Sequence, residues 1–163
     1  MKTRTAKSYV YSCLILLMGV LMIASMFLKV YSFTIQKGEA FVITQSGFEV
    51  MFSTHAEVGS AGVYASILAW MNLIFGVAAI VIALLDMVVF GESALTNLLH
   101  TVALVGCLVI SVGYALAAYM IADVLGVRDS FIWDASLSFV SFLGVFAVSF
   151  VYALISFFGK KRA

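Results

Sequence analysis

The chain has 163 residues, of which 64% are hydrophobic and 10% charged, with a formal net charge of +1. Soluble domains carry about a quarter charged residues, so a mean hydropathy of +1.17 excludes a soluble globular class and indicates an integral membrane protein. The near-neutral balance also excludes a nucleic-acid partner, which would need a basic face.

A hydrocarbon core of about 30 Å takes about 20 helical residues to cross. By that measure the sequence predicts four spans, from about Ser8 to Val30, Gly62 to Phe90, Leu95 to Ala122 and Phe131 to Phe158. Each is expected to be a helix, because a lipid-exposed backbone must satisfy its own hydrogen bonds. The first follows Lys2, Arg4 and Lys7 and superficially reads like a signal peptide. Its apolar run is longer than a typical h-region and meets no small-x-small cleavage site, so it reads as a retained helix. The expected product is a single membrane domain over residues 1–163: all-α, a four-transmembrane-helix bundle.

Between the first two spans, residues 33–60 show period-two alternation, which argues strand. Phe33 and Ile35 alternate with Ser32, Thr34 and Gln36; Ala40 to Thr44 follows; and Phe48, Val50 and Phe52 alternate with Glu49, Met51 and Ser53. With turns at Lys37-Gly38-Glu39 and Gln45-Ser46-Gly47 this predicts a small extracellular antiparallel β-meander of three strands. Positive flanks at both ends (Lys2, Arg4, Lys7; Lys160, Lys161, Arg162) and an even span count place both termini in the cytoplasm of a cell-membrane protein. The stretch from Asp123 to Asp134, with Arg128 and Trp133, reads as a solvated turn.

Asp86 and His100 are the most conspicuous ionisable residues inside the apolar runs, seven positions either side of Ser93 in the Gly91-Glu92-Ser93 turn. In an antiparallel hairpin they lie at one depth and can meet. A carboxylate beside an imidazole serves as a structural clasp, a proton or ion site, or part of a metal site. The sequence offers no second axial partner for a haem, and no cofactor or metal is expected. His55 with Glu49 and Glu57 is a weak metal signal in a solvated loop.

At 100° steps each span shows a stripe of small and polar residues. The stripes hold Ser8, Ser12, Gly19 and Met26; Ala65, Asn72, Gly76, Ala79, Ala83 and Asp86; Thr96, His100, Cys107, Ser111, Tyr114 and Ala118; and Ser138, Ser141, Ser149, Tyr152 and Ser156. The polar members Asn72, Ser111, Tyr114, Ser138, Ser141, Ser149 and Tyr152 either bond across helices, at about 0.6 kcal/mol each, or line a hydrated path. Small side chains favour packing. Cys13 and Cys107 both fall within spans and form neither a disulfide framework nor a Cys-x-x-Cys pair. The chain has no proline, so no span carries the interruption that marks many transporter helices.

No phosphate loop, Ser-x-x-Lys, His-Glu-x-x-His or carboxylate cluster is present, so no enzymatic role is expected. Four spans, internal termini and a strand-bearing first outer loop resemble the layout of the claudin and peripheral-myelin families. Those families carry a Trp…Gly-Leu-Trp…Cys…Cys signature in that loop, whereas residues 33–60 hold neither tryptophan nor cysteine. The resemblance therefore transfers no functional residue. Two readings follow: a scaffold, auxiliary or interaction subunit that binds another membrane protein or its own copy within the lipid bilayer, and a small ion or proton channel or transporter using the stripes and the Asp86/His100 pair.

Overall fold

The computed structural model describes the backbone of residues 6–27, 29–37, 39–52, 59–90, 93–124 and 137–160, and side chains within 8–27, 46–52, 63–89, 93–113 and 143–158 together with 116 and 120. Helix α1 (Ala6–Met26) leads into strands β1 (Lys29–Lys37) and β2 (Glu39–Ser46). Then follow α2 (Gly47–Phe52), α3 (Gly59–Leu85), a π-helical turn (Asp86–Phe90), α4 (Ala94–Val124) and α5 (Leu137–Lys160).

The buried residues of α3 are Ala65, Ala69, Asn72, Gly76, Ala79, Ala83 and, one step into the π turn, Asp86. Their alternating spacing of four and three is the seam along which a helix packs in coiled-coil fashion. On α4, Thr96, His100, Ala103, Cys107 and Ile110 repeat that spacing, and on α1 Ser12, Ile15, Met18, Met22 and Ser25 face them. The outward faces are apolar: Ile67, Ile74 and Val81 on α3 and Leu98, Val105 and Val109 on α4 are all exposed. That distribution suits lipid, where an apolar exterior costs nothing. Three helices are long and apolar enough to cross a membrane, over Ser8–Met26, Val63–Val89 and Ala94–Gly113. The molecule is a small multi-pass helical membrane protein.

The four-span bundle expected from the sequence is corrected here. Among the described residues the apolar stretch of α5, Leu143–Phe158, falls short of a crossing length; the start of the expected fourth span at Phe131 and the turn before it lie outside the described residues. Helix α5 packs against α1 and α4.

The β-meander is also overturned, and with it the claudin-like layout. Strands β1 and β2 pair antiparallel as an isolated ribbon, with Phe33 opposite Ile43 and Ile35 opposite Phe41. The expected third strand is α2. Its cause is a reciprocal cap: the Ser46 amide donates to Glu49 Oε2 at 2.6 Å, and the Glu49 amide donates to Ser46 Oγ at 3.3 Å. Ser46-Gly47-Phe48-Glu49 is thus a capping box. The residues that α2 buries are Gly47, Val50 and Met51, a helical spacing hidden beneath the alternation of Phe48, Val50 and Phe52. Aromatic pairs hold it to the end of α1 and to the body of α3, Phe27 with Phe48 at 4.9 Å and Phe52 with Trp70 at 5.5 Å. Ser66 Oγ also donates to the Met51 carbonyl at 2.8 Å.

Helices α1 and α3 meet backbone to backbone at two glycines. A methyl group on Gly19 would lie 2.6 Å from the Gly76 carbonyl oxygen, and one on Gly76 3.2 Å from the Gly19 oxygen. Neither oxygen can move without shifting a helix. Gly19→Ala is therefore expected to lower stability by about 1–3 kcal/mol through overpacking. Gly144→Ala should change little, because its new methyl meets only the flexible end of Leu21 at 3.2 Å. Reversible unfolding of both variants in mixed detergent checks the contrast; equal losses would refute it.

The cap also sets a titration. Hydrogen bonds from the Ser46 amide and hydroxyl hold the exposed Glu49 carboxyl below its ordinary range. A depressed folded-state value means that the cap contributes fully above the unfolded value and is lost as pH falls through the folded one. In an NMR titration Glu49 should reach its midpoint below that of a free glutamate, about 4.3, and Ser46→Ala should raise it.

Candidate functional site

Asp86 and His100 come together where the sequence symmetry places them. His100 Nε2 lies 3.4 Å from Asp86 Oδ2, and both side chains are about 2–3% exposed. The contact is of ion-pair length without the angles of a hydrogen bond, so Nε2 and Asp86 Oδ1 have no hydrogen-bond partner among the described residues. Asp86 Oδ2 instead accepts a hydrogen bond from Ser12 Oγ on α1. One carboxylate therefore ties α1, the end of α3 and α4.

Local sequence explains each position. Asp86 opens the π turn, an arrangement that recurs at functional sites. His100 follows from the start of α4, where Ser93 caps the helix: the Thr96 amide donates to Ser93 Oγ at 3.1 Å and the Asn97 amide to the Ser93 carbonyl at 3.2 Å. From α5, the Tyr152 ring stacks at a tilt on Tyr11 at 4.7 Å and meets the His100 ring edge-on at 6.3 Å. A cavity of about 400 Å³ opens beside this group, lined by Ser8, Tyr11, Ser93, Thr96, Asn97 and His100 together with Ala94.

The remaining stripe residues divide. Asn72 belongs to a second polar knot, 14 residues along α3 from Asp86 and hence about 21 Å away at 1.5 Å per residue. Its Nδ2 reaches the Met22 carbonyl at 3.0 Å, Ser25 Oγ at 3.3 Å and Met26 Sδ at 3.4 Å. Ser111 is buried with its hydroxyl unpartnered among the described residues, and Ser149 makes a long contact of 4.0 Å to Met18 Sδ. The side chains of Tyr114, Ser138 and Ser141 lie outside the described residues, as do His55 and Glu57 of the weak metal signal. Between the two polar knots the axis holds Ile15, Met18 and Met22, each fully buried.

Sequence reasoning put Ser12 on the stripe of its span but did not join it to Asp86. The available signal was antiparallel register. With Gly19 against Gly76 and Met22 against Asn72, Ser12, two turns before Gly19, lies level with Ala83, and the Asp86 side chain, tilted toward the N-terminus of its helix, reaches back about one turn to meet it. The cavity wall at Ser8, Tyr11, Ser93 and Asn97 was likewise missed, since it forms only where α1 and α4 begin side by side.

No protein-family model, curated protein or solved structure matches the chain.

Removing one partner so that a buried polar group is left unsatisfied costs about 1–3 kcal/mol, more for a charged group, whereas replacing both with apolar groups is often near neutral. His100→Leu is therefore expected to destabilise strongly, and Asp86→Leu added to it should restore most of the loss. A double-mutant cycle on unfolding in bicelles measures this, and additive losses would show that the two side chains do not act as a pair.

Proposed function

We propose that this protein is a non-catalytic interaction subunit of the membrane, one that binds another membrane protein or a second copy of itself through its outer segment and lipid-facing helix surfaces. The observation that carries the reading is the filled axis: Ile15, Met18, Met22, Met26 and Val145 are all at 0% exposure. Unbranched methionines fill irregular gaps closely, and among the described residues the axis between the Asn72 knot and the cavity beside His100 is filled by apolar side chains. The polar residues on that axis then serve as fasteners between helices, in keeping with their small size.

The same geometry supports an orientation. Tyr11 near the start of α1 stacks on Tyr152 near the end of α5, so the start of α1 and the end of α5, the helices that the basic residues flank in sequence, lie at one end of the molecule. The preference of Lys and Arg for the cytoplasmic side puts that end inside and the β1–β2 ribbon with α2 outside. Gln45→Cys should then react with an impermeant thiol reagent in intact cells.

Purified protein in liposomes is expected to leave them tight to ions and protons. Photo-crosslinkers at exposed Val63 or Phe52 should give one discrete adduct in cells, and reversing Lys37 and Glu39 should weaken that adduct without changing the melting temperature. Ion or proton flux through the pure protein, abolished by Asp86→Asn at unchanged folding, would overturn the reading in favour of a conducting one.

A further inference from the structure

Contacts between the helices fix one depth in the molecule. Gly19 meets Gly76 and Met22 meets Asn72, so the end of α1 at Met26 stands level with about Leu68 of α3, and Leu68 in turn faces Gly113 of α4. The crossing stretch of α1, Ser8–Met26, has 19 residues. At 1.5 Å per residue it is about 28 Å long, barely enough for a hydrocarbon core of about 30 Å. As the shortest of the three described crossings it sets where the core ends. The crossing stretch of α3, Val63–Val89, has 27 residues, so its beginning, from Val63 to about Leu68, stands beyond that level.

Helix α2 lies across this boundary at an incline. Phe48 near its start packs on Phe27, just past the end of α1, whereas Phe52 at its close packs on Trp70, on the core side of Leu68. The exposed side chains follow the same gradient, with Glu49 toward the water side and Phe52, 68% exposed, toward the hydrocarbon. Trp70 belongs to a stripe of α3 in alternating spacing of four and three, Val63, Ile67, Trp70, Ile74, Val77 and Val81, all exposed. The surface around Phe52 therefore continues without a break into the lipid-facing side of α3. Main-chain groups are engaged at both ends of α2, by the Ser46 to Glu49 box at its start and by Ser66 Oγ on the Met51 carbonyl at its close. A backbone set against lipid requires such partners, because no water is there to replace them.

We propose that α2 is an interfacial helix, and that Phe52 with Trp70 binds the glycerol and upper acyl-chain zone of the leaflet at this end, the outer one in the orientation proposed above. Glu49 then stands at headgroup level. Aromatic rings suit this zone, since an apolar body meets the chains while the indole N–H of Trp70 keeps a polar neighbour. Strand β2 runs directly into α2 at Ser46 and Gly47, so the β1–β2 ribbon is held at the membrane surface. A membrane partner that reaches Phe52 displaces lipid there rather than water.

The test uses the purified full-length protein in phosphatidylcholine vesicles, with no partner present, so its outcome is independent of what the protein binds in cells. Trp70→Phe, Trp133→Phe and Phe52→Trp together leave one indole, at position 52. Its fluorescence is read with lipid brominated near the glycerol end of the acyl chain, with lipid brominated near the methyl end, and with aqueous iodide. An interfacial helix sits only about 5–10 Å into the boundary, so glycerol-end bromines are expected to quench at least about twice as strongly as methyl-end ones, with iodide well below its effect on free tryptophan. Iodide quenching equal to that of free tryptophan would place α2 in water, and stronger quenching from the methyl end would place it in the core; either overturns the proposal. A melting curve reports on folding. If the triple variant does not fold, Trp133→Phe alone leaves Trp70 as reporter beside an unaltered Phe52, with the same expected order and the same overturning results.

Discussion

A carboxylate in the interior of a membrane protein has to be compensated, and Asp86 is where the described helices settle that requirement together. Isolated in hydrocarbon it would be among the most costly groups in the chain. It is compensated by side chains on α1 and α4, Ser12 and His100, with Tyr152 from α5 closing over the imidazole. None of these contacts exists unless the helices share one register. The acid thus penalises every slipped arrangement of α1 against α3, a specificity role that buried polar groups fulfil in some helical assemblies. The glycine contact at Gly19 and Gly76 and the Asn72 knot hold the same register further along.

Much of this was legible in the residues, for a reason that differs from element to element. Asp86 and His100 could be paired because an antiparallel hairpin maps equal distances from its turn to equal depths, a property of geometry alone. The small residues of α3 announced their buried face because only a 4-3 spacing brings Ala65, Asn72, Gly76 and Ala83 onto one line. The outer segment misled because Phe48, Val50 and Phe52 fit period two over five residues, while the burial of Gly47, Val50 and Met51 follows a helical period. Over so short a window the two periods share residues, and the arbiter was the Ser46 to Glu49 capping box rather than hydrophobicity. The fourth crossing was inferred from apolar composition across Phe131 to Phe158, of which the structure describes an apolar helical stretch only over Leu143–Phe158. Ser12 escaped notice as a partner because a serine on a helix face carries no signal until the opposing helix is placed.

The two polar knots have opposite characters. At Asn72 the donors are spent on the backbone, hydroxyl and sulfur of α1, among the fully buried Met22 and Met26. At the other knot Asp86 is buried as well, and its partner His100 lines the cavity. Both levels lie at a helix end, α1 ending at Met26 and α4 beginning at Ala94: Asn72 caps the last-turn Met22 carbonyl of α1, whereas the start of α4 leaves a gap beside α1. A single chain can therefore set similar polar side chains in a closed seam at one level and beside a cavity at the other.

The π turn at Asp86–Phe90 bears on how this chain tolerates changes in length. A π turn accommodates one residue more than the α-helical ladder would hold, and each residue of an α-helix advances the face by about 100°. Deleting one residue after Asp86 would let the ladder close as ordinary α-helix while leaving Ala65 to Asp86 on their present face. A deletion before Asp86 would instead swing the carboxylate away from Ser12. The segment beyond the acid is thus a slack point, and the helix before it is not. A chain arranged in this way can lose or gain a residue between α3 and α4 and keep its interior, which makes this turn the natural place to splice in a tag or a sensor.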